Sequence, residues 1–438
     1  MNNADYILSA KYVLTMNSQM DIIHDGAIVI KNNKIIDLGA KDEILKKYIA
    51  PKVIAKKNHI IMPGLINTHV HAAMSYLRGF ADDLPLREWL EHYIWPIENI
   101  MISPEFVYDG ARLACLEMLK GGITSCLDMY YYEDKSADAI KSMQMRALTG
   151  QTLINVTPGN SRYARENLLD VEQFILQWKD DDLIMPILAP HSLYACDFNF
   201  LKNVVTLAHK YNTPLHIHLS EPEWEVAQVL NATGKRPVEY LQSIGFFEGL
   251  SSAAHCIWVD DKEIEILAKY KVSVSHCLES NLKMAAGFAP VVKMLNAGVN
   301  VTLGTDSAVS NNDLNIFSEM STVAKVHKAL VKDPTVLNAP TVLQMATKFA
   351  AKSLGFGDKL GILAKDYLAD LICVDIHKPH LLPIYDVYSH LVYAASASDV
   401  DTVMVNGKIL MDNRQVLVCD ESEVLNKAIA WQGKIMKN

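Results

Sequence analysis

Cysteine is sparse and unpaired in this chain of 438 residues. The seven cysteines (Cys115, Cys126, Cys196, Cys256, Cys277, Cys373 and Cys419) are scattered, odd in number and form no CxxC pair. That pattern argues against a disulfide framework or a structural zinc site and leaves reduced core thiols. Positive charge is short as well. There are 41 Lys and Arg against 50 Asp and Glu, and no basic run or aromatic-basic stripe, so nothing favours a nucleic-acid groove or an anionic membrane surface. No apolar run approaches the roughly 18 residues of a membrane span, and Met1 to Ser18 lacks the basic start and apolar core of a secretion signal. What remains is a chain 50% hydrophobic and 21% charged, ordinary for a globular protein with a large core. A cytoplasmic protein with a small-molecule partner is expected, one large domain plus something smaller. A homo-oligomer is compatible with all of this.

The texture of the chain changes twice. Tyr12 to Leu14, Gly26 to Ile30 and Ile35 to Gly39 read as short strands around a Lys31-Asn32-Asn33-Lys34 turn, a meander signal. A matching signal returns at Leu371 to Asp375 and Val403 to Leu410, so the two ends are expected to pair as one small β-domain, residues 1–62 with 364–438. Between them, over residues 63–363, short apolar strand runs alternate with longer helical patterns such as Pro104 to Leu119. Repeated β-α units over some three hundred residues predict an α/β fold, a (β/α)8 barrel of the TIM type, with its chemistry at the C-terminal ends of the strands. With the terminal segments as a small β-sandwich, this gives the expected architecture.

Polar residues cluster at those ends. His69 and His71, in Asn67-Thr68-His69-Val70-His71, are two apart at the end of an apolar run, so they project into the same space and one cation can sit between them. His218, His255 and Asp306 end three later runs. Five metal-capable side chains at predicted strand ends are hard to attribute to chance. His216 shares a face with His218 but lies about 6.6 Å deeper, so it reads as a satisfied interior histidine and His218 as the ligand. Glu221 follows His218 by three residues, where the chain has left the strand and can turn its carboxylate back over the rim. A glutamate there often only serves the helix dipole; beside a ligand it reads as a catalytic acid.

Pro63 to His71, Leu303-Gly304-Thr305-Asp306-Ser307 with Ser310-Asn311-Asn312, and Ser275 to Lys283 resemble the amidohydrolase superfamily. More closely, they are similar to its branch of adenosine-type deaminases acting on 5′-methylthioadenosine and S-adenosylhomocysteine, with the related chlorohydrolases. The resemblance implies metal ligation by His69, His71, His218 and Asp306, a place for His255 beside a bound water, and Glu221 facing a purine ring nitrogen. It further implies Glu98 as acceptor of a ribose hydroxyl, His191 as a substrate contact and Trp89 as a pocket wall. Where this branch places arginines after the third strand, the chain has Gln151, with Arg162 or Arg165 aligned only loosely. That departure favours neutral 5′ tails over one ending in a carboxylate.

Such a ligand set with an open position suits one catalytic divalent ion, which lowers the pKa of its water towards about 7. Zinc suits imidazole and carboxylate; iron or manganese fits the same ligands. The run Met185 to Pro190 offers no lysine, which binuclear relatives use to bridge two ions, so one metal is expected. The reaction implied is hydrolytic removal of the 6-amino group, with Asp306 taking the proton of the water, Glu221 protonating N1 and His255 steadying the attacking oxygen. Hydrolysis of another amino- or chloro-substituted heterocycle (triazine, pyrimidine or guanine-like base) is the alternative within enzymes. A non-catalytic scaffold is the alternative outside them, and the full ligand set speaks against it.

Overall fold

Residues 1–156 and 168–437 are described in a computed structural model of the chain. Arg162 and Arg165 lie outside the described residues. Four strands, β1 (Leu65–Val70), β2 (Ile123–Tyr130), β3 (Arg146–Leu153) and β4 (Ile184–Pro186), pair in parallel in that order. Ala189–Pro190 continues the line of β4 beside β3. A second parallel sheet holds β5 (Leu215–Leu219), β6 (Ser251–His255), β7 (Ser273–His276) and β8 (Asn300–Leu303), also in chain order. The sheets meet at both edges. Leu188 bridges Leu215 in parallel register, and the Asp306 amide beyond β8 donates to the His69 carbonyl on β1 at 3.0 Å.

Every residue of β1, β2 and β3 is buried. Strands covered on both faces need no strict polar alternation, and their buried polar residues, such as Asn67, Thr68 and Asp128, are held by hydrogen bonds instead. Helices fill the connections. Pro104–Lys120, between β1 and β2, starts where the Ser103 hydroxyl accepts from the Phe106 amide with Pro104 at the first position, and it ends at Gly121.

Strands from the two ends of the chain pair with each other. Eight strands form one sheet in the order Gln415–Val416, Lys408–Asp412, Val400–Val405, Leu371–Asp375, Lys52–Pro63, Tyr6–Leu14, Ile22–Lys31 and Lys34–Ala40. The junction is antiparallel pairing of Leu371–Asp375 with Lys52–Pro63. Asn32, with φ of 55°, turns the predicted hairpin. The final helix, Glu421–Ile435, leaves this sheet and packs on Pro104–Lys120, where Trp431 Nε1 donates to Asp109 Oδ2 at 3.1 Å and Arg112 pairs with Glu423 at 3.0 Å. All seven cysteines are free, and six are buried. Among the described residues no helix is long and apolar enough to cross a membrane.

Candidate metal centre and cleft

The four predicted ligands converge. One ligand atom from each of His69, His71, His218 and Asp306 lies within 4.8 Å of the others. Asp306 Oδ1 is 3.4 Å from His69 Nε2 and 3.3 Å from His71 Nε2, and the Nε2 atoms of His71 and His218 are 3.2 Å apart. The protons on these rings can be assigned from their neighbours. His71 Nδ1 is 2.6 Å from the Met129 carbonyl and His218 Nδ1 is 2.8 Å from the His191 carbonyl. A carbonyl only accepts, so both Nδ1 atoms carry hydrogen, and in the neutral form of each ring the Nε2 lone pair is turned towards the other. Facing lone pairs at this distance repel unless a cation lies between them. Among the described residues His69 Nε2 is buried without a hydrogen-bond partner, a second mark of a set that could ligate a metal.

Local backbone brings the ligands together. Gly304 follows β8 at the point where a Cβ would lie 2.8 Å from the Cβ of His69, so only glycine lets β8 close on β1. Asn67 fastens the same seam: its Nδ2 donates to Thr305 Oγ1 at 2.7 Å, and its Oδ1 accepts from the Thr305 amide at 3.0 Å. Asp306 and His255 both adopt left-handed backbone, with φ of 62° and 68°, at a cost of about 1–3 kcal/mol each that the surrounding packing must offset. Ser280 and Ser310 donate to Asp306 Oδ2 at 2.6 and 2.8 Å, leaving Oδ1 to face the imidazoles. The neighbouring imidazoles hold the Asp306 carboxyl well below the usual carboxylate range despite its burial.

The remaining predicted residues meet in one cleft. Trp89, Glu98, His191, Glu221 and His255 line it together with His71, His218 and Asp306; His69 sits beneath, fully buried. Burial raises the pKa of Glu221, although the nearby His255 opposes the shift. Glu221 Oε1 stands 4.0 Å from His255 Nε2, and His255 Nδ1 is fixed 2.8 Å from Asn281 Oδ1. Burial pushes Glu98 up to about 7 even though the Tyr130 hydroxyl donates to it at 2.6 Å. Burial, then the neighbouring His71, takes His191 down to about 3, so it is a neutral ring.

Several partners were not singled out from the sequence. Tyr130, Tyr194, Met284 and Ser307 line the cleft, and Glu225 accepts from the Glu221 amide at 3.2 Å and is itself raised to about 8, first by burial and then by Glu221. Ser280 and Ser310 lie inside the stretches that carry the family resemblance, but only Ser310 is near Asp306 in the chain. Gln151 does not line the cleft. It lines a separate recess with Glu133 and Asp170, and its Nε2 donates to the Thr152 carbonyl at 3.2 Å, because successive side chains of β3 point to opposite faces and Thr152 takes the cleft side.

An α/β scaffold in which β1, β5 and the segment beyond β8 bring four metal-capable side chains to one end, under a cleft holding buried acids, has the architecture of a metal-dependent hydrolase. Comparison with known proteins makes the class specific. Residues 60–410 match the amidohydrolase family, and the chain belongs to that family. It is 46% identical, over 98% of both chains, to a 5-methylthioadenosine/S-adenosylhomocysteine deaminase of Thermodesulfovibrio yellowstonii. It is 45% identical, over 97% of both, to a 5′-deoxyadenosine deaminase of Methanosarcina acetivorans. The crystal structure of an adenosine deaminase from Xanthomonas campestris with bound zinc superimposes with a TM-score of 0.97 over the whole of both chains at 35% identity.

Proposed function

We propose that this protein is a metal-dependent deaminase that hydrolyses an adenosine-type nucleoside (5′-methylthioadenosine, adenosine or S-adenosylhomocysteine) to its inosine-type product and ammonia. The observation that carries the reading is the presence, in one cleft with the four-ligand set, of two buried carboxyls with raised pKa, Glu221 and Glu98. The deaminases of Thermodesulfovibrio and Methanosarcina, similar along nearly their full length, support it.

In this reading the two parallel sheets are halves of one closed (β/α)8 barrel over residues 63–363. The Leu188–Leu215 bridge and the Asp306-to-His69 hydrogen bond support closure. Residues 1–62 and 364–438 make the small β-domain. His69, His71, His218 and Asp306 hold one zinc ion, and no lysine in β4 is available to bridge a second. When bound, the ion lowers the pKa of a water molecule from 15.7 towards about 7. Asp306 accepts that proton at its carboxylate while Ser280 and Ser310 hold its other oxygen. Glu221, kept protonated by burial, delivers its proton to N1 of the ring, which makes C6 the easier point of attack. His255 steadies the attacking oxygen from a ring fixed by Asn281. Glu98 and Tyr130 meet the ribose hydroxyls, His191 contacts the substrate as a neutral ring, and Trp89 closes the wall. Seven free thiols support a cytoplasmic setting.

Ammonia release across adenosine, 5′-methylthioadenosine, S-adenosylhomocysteine, adenine, guanine, cytosine and an aminotriazine tests the proposal, with metal content measured on the same preparation. Turnover of nucleosides with about one ion per chain is expected. Turnover of free bases or triazines alone, or two tightly held ions at full activity, would overturn it.

A further inference from the structure

Of the three imidazoles in the ligand set, two are oriented by backbone and one is not. His71 and His218 give their Nδ1 protons to carbonyls, whereas His69 Nδ1 faces another side chain, His216 Nε2, at 2.9 Å. His216 Nδ1 in turn lies 2.7 Å from Ser252 Oγ. His69 and His216 are fully buried, and Ser252 is nearly so. We infer that His216 is a positioning residue for the metal-ligand set, acting with Ser252 as a two-bond relay that fixes which nitrogen of His69 is free to ligate. The inference rests on the proposed metal site.

The proton count along the relay allows two arrangements. In one, His69 Nδ1–H donates to His216 Nε2 and His216 Nδ1–H donates to Ser252 Oγ, which leaves the His69 Nε2 lone pair turned towards Asp306. In the other every bond is reversed: the Ser252 hydroxyl donates to His216 Nδ1, His216 Nε2–H donates to His69 Nδ1, and His69 carries its hydrogen on Nε2, where an ion belongs. A neutral imidazole has one donor and one acceptor, so His216 cannot serve both arrangements at once. A carbonyl would fix His69 outright. An imidazole fixes it only as firmly as its own far nitrogen is held, and the atom holding it is the Ser252 hydroxyl. One oxygen on β6, outside the ligand set, therefore bears on the metal through two hydrogen bonds.

The test uses the full-length protein and zinc alone, with affinity read by competition against a chromophoric chelator and the melting temperature of the metal-free protein read beside it. His216→Phe keeps ring volume and removes the acceptor; His216→Gln restores an acceptor; Ser252→Ala removes only the far oxygen. The expected zinc Kd rises about 10- to 100-fold in His216→Phe, rises by less in Ser252→Ala and returns towards wild type in His216→Gln. Histidine-selective ¹⁵N spectra of the zinc-loaded wild type should show hydrogen on Nδ1 of both His69 and His216. A packing role alone would move the melting temperature and leave the spectra and the Gln rescue unexplained. Folded His216→Phe with wild-type zinc affinity overturns the inference, as does hydrogen on His216 Nε2 in the loaded protein. Should His216→Phe fail to fold, unchanged affinity in Ser252→Ala overturns it equally. Failure of the underlying metal site looks different: wild type itself then binds no zinc, and His218→Ala matches it.

Discussion

At the scale of single residues, burial decides what each carboxyl can do. Glu221 is surrounded by imidazoles that favour its charged form, yet burial is the larger effect and leaves its pKa raised. The sign for catalysis follows. The acid is the competent form, so raising its pKa extends activity upward, and kcat should fall on the alkaline side as pH climbs through the raised value. Glu221→Gln cannot deliver a proton, so its kcat should drop about 10²- to 10⁴-fold and lose that alkaline limb while zinc content stays the same. A pH profile of both proteins checks this; wild-type kcat in the variant would remove Glu221 from the mechanism. The four metal-capable side chains that converge were legible in the sequence because period-two spacing and strand ends constrain them strongly. Their supports were not. Ser280 reaches Asp306 from 26 residues away, the partner of the interior histidine His216 lies 147 residues off in the chain, and Gln151, one residue from a cleft-lining threonine, faces the wrong side of β3, so the tail preference argued from it finds no contact in the cleft.

At the scale of elements, the seam between β1 and β8 sets the site's precision, because His69 and Asp306 arrive from its two sides. Asn67 spans that seam with both ends of its amide, and its Oδ1 also lies 3.4 Å from the His69 amide. Asn67→Ala should leave the Thr305 amide buried and unpaired, at about 1–3 kcal/mol, and loosen Asp306 against His69. Its zinc Kd should therefore rise along with the fall in stability; a variant that is destabilised but binds zinc as wild type would show that the seam is held elsewhere. Sequence reading found the strands that carry apolar runs and passed over Lys52–Pro63, although it lies in the interior of the terminal sheet. The reason is visible in the structure. Lys56 and His59 interrupt its apolar pattern, and both are compensated across the sheet, Lys56 by Asp401 and Asp412 at 2.8 and 2.9 Å and His59 by Asp401 at 2.7 Å. A charge satisfied by a partner more than three hundred residues away looks, in sequence, like a break in a strand.

At the scale of the whole molecule, the terminal sheet and the parallel strands are joined by a buried ion pair at the end of β3 remote from the cleft. Arg146 reaches Asp370 with Nε at 2.9 Å and Nη2 at 3.3 Å, both side chains being almost wholly buried, and its Nη1 donates to the Asp182 carbonyl at 2.8 Å. Asp370 also accepts from the Asn406 amide at 2.7 Å. Removing one partner strands a charge in low dielectric, so Asp370→Asn should cost about 3–5 kcal/mol, whereas Arg146→Met combined with Asp370→Leu should recover most of that loss. The proposed metal ligands lie at the opposite ends of the strands. β3 alone runs from Arg146 to Leu153, a rise of roughly 20–25 Å. The joint therefore bears on whether the scaffold holds together and not on the geometry of the ligands. Asp370→Asn should melt well below wild type while keeping wild-type zinc affinity and kcat at temperatures where it is folded. Thermal unfolding paired with zinc titration and turnover at low temperature checks the separation, and a variant that keeps its stability but loses zinc would show that the joint reaches the site after all.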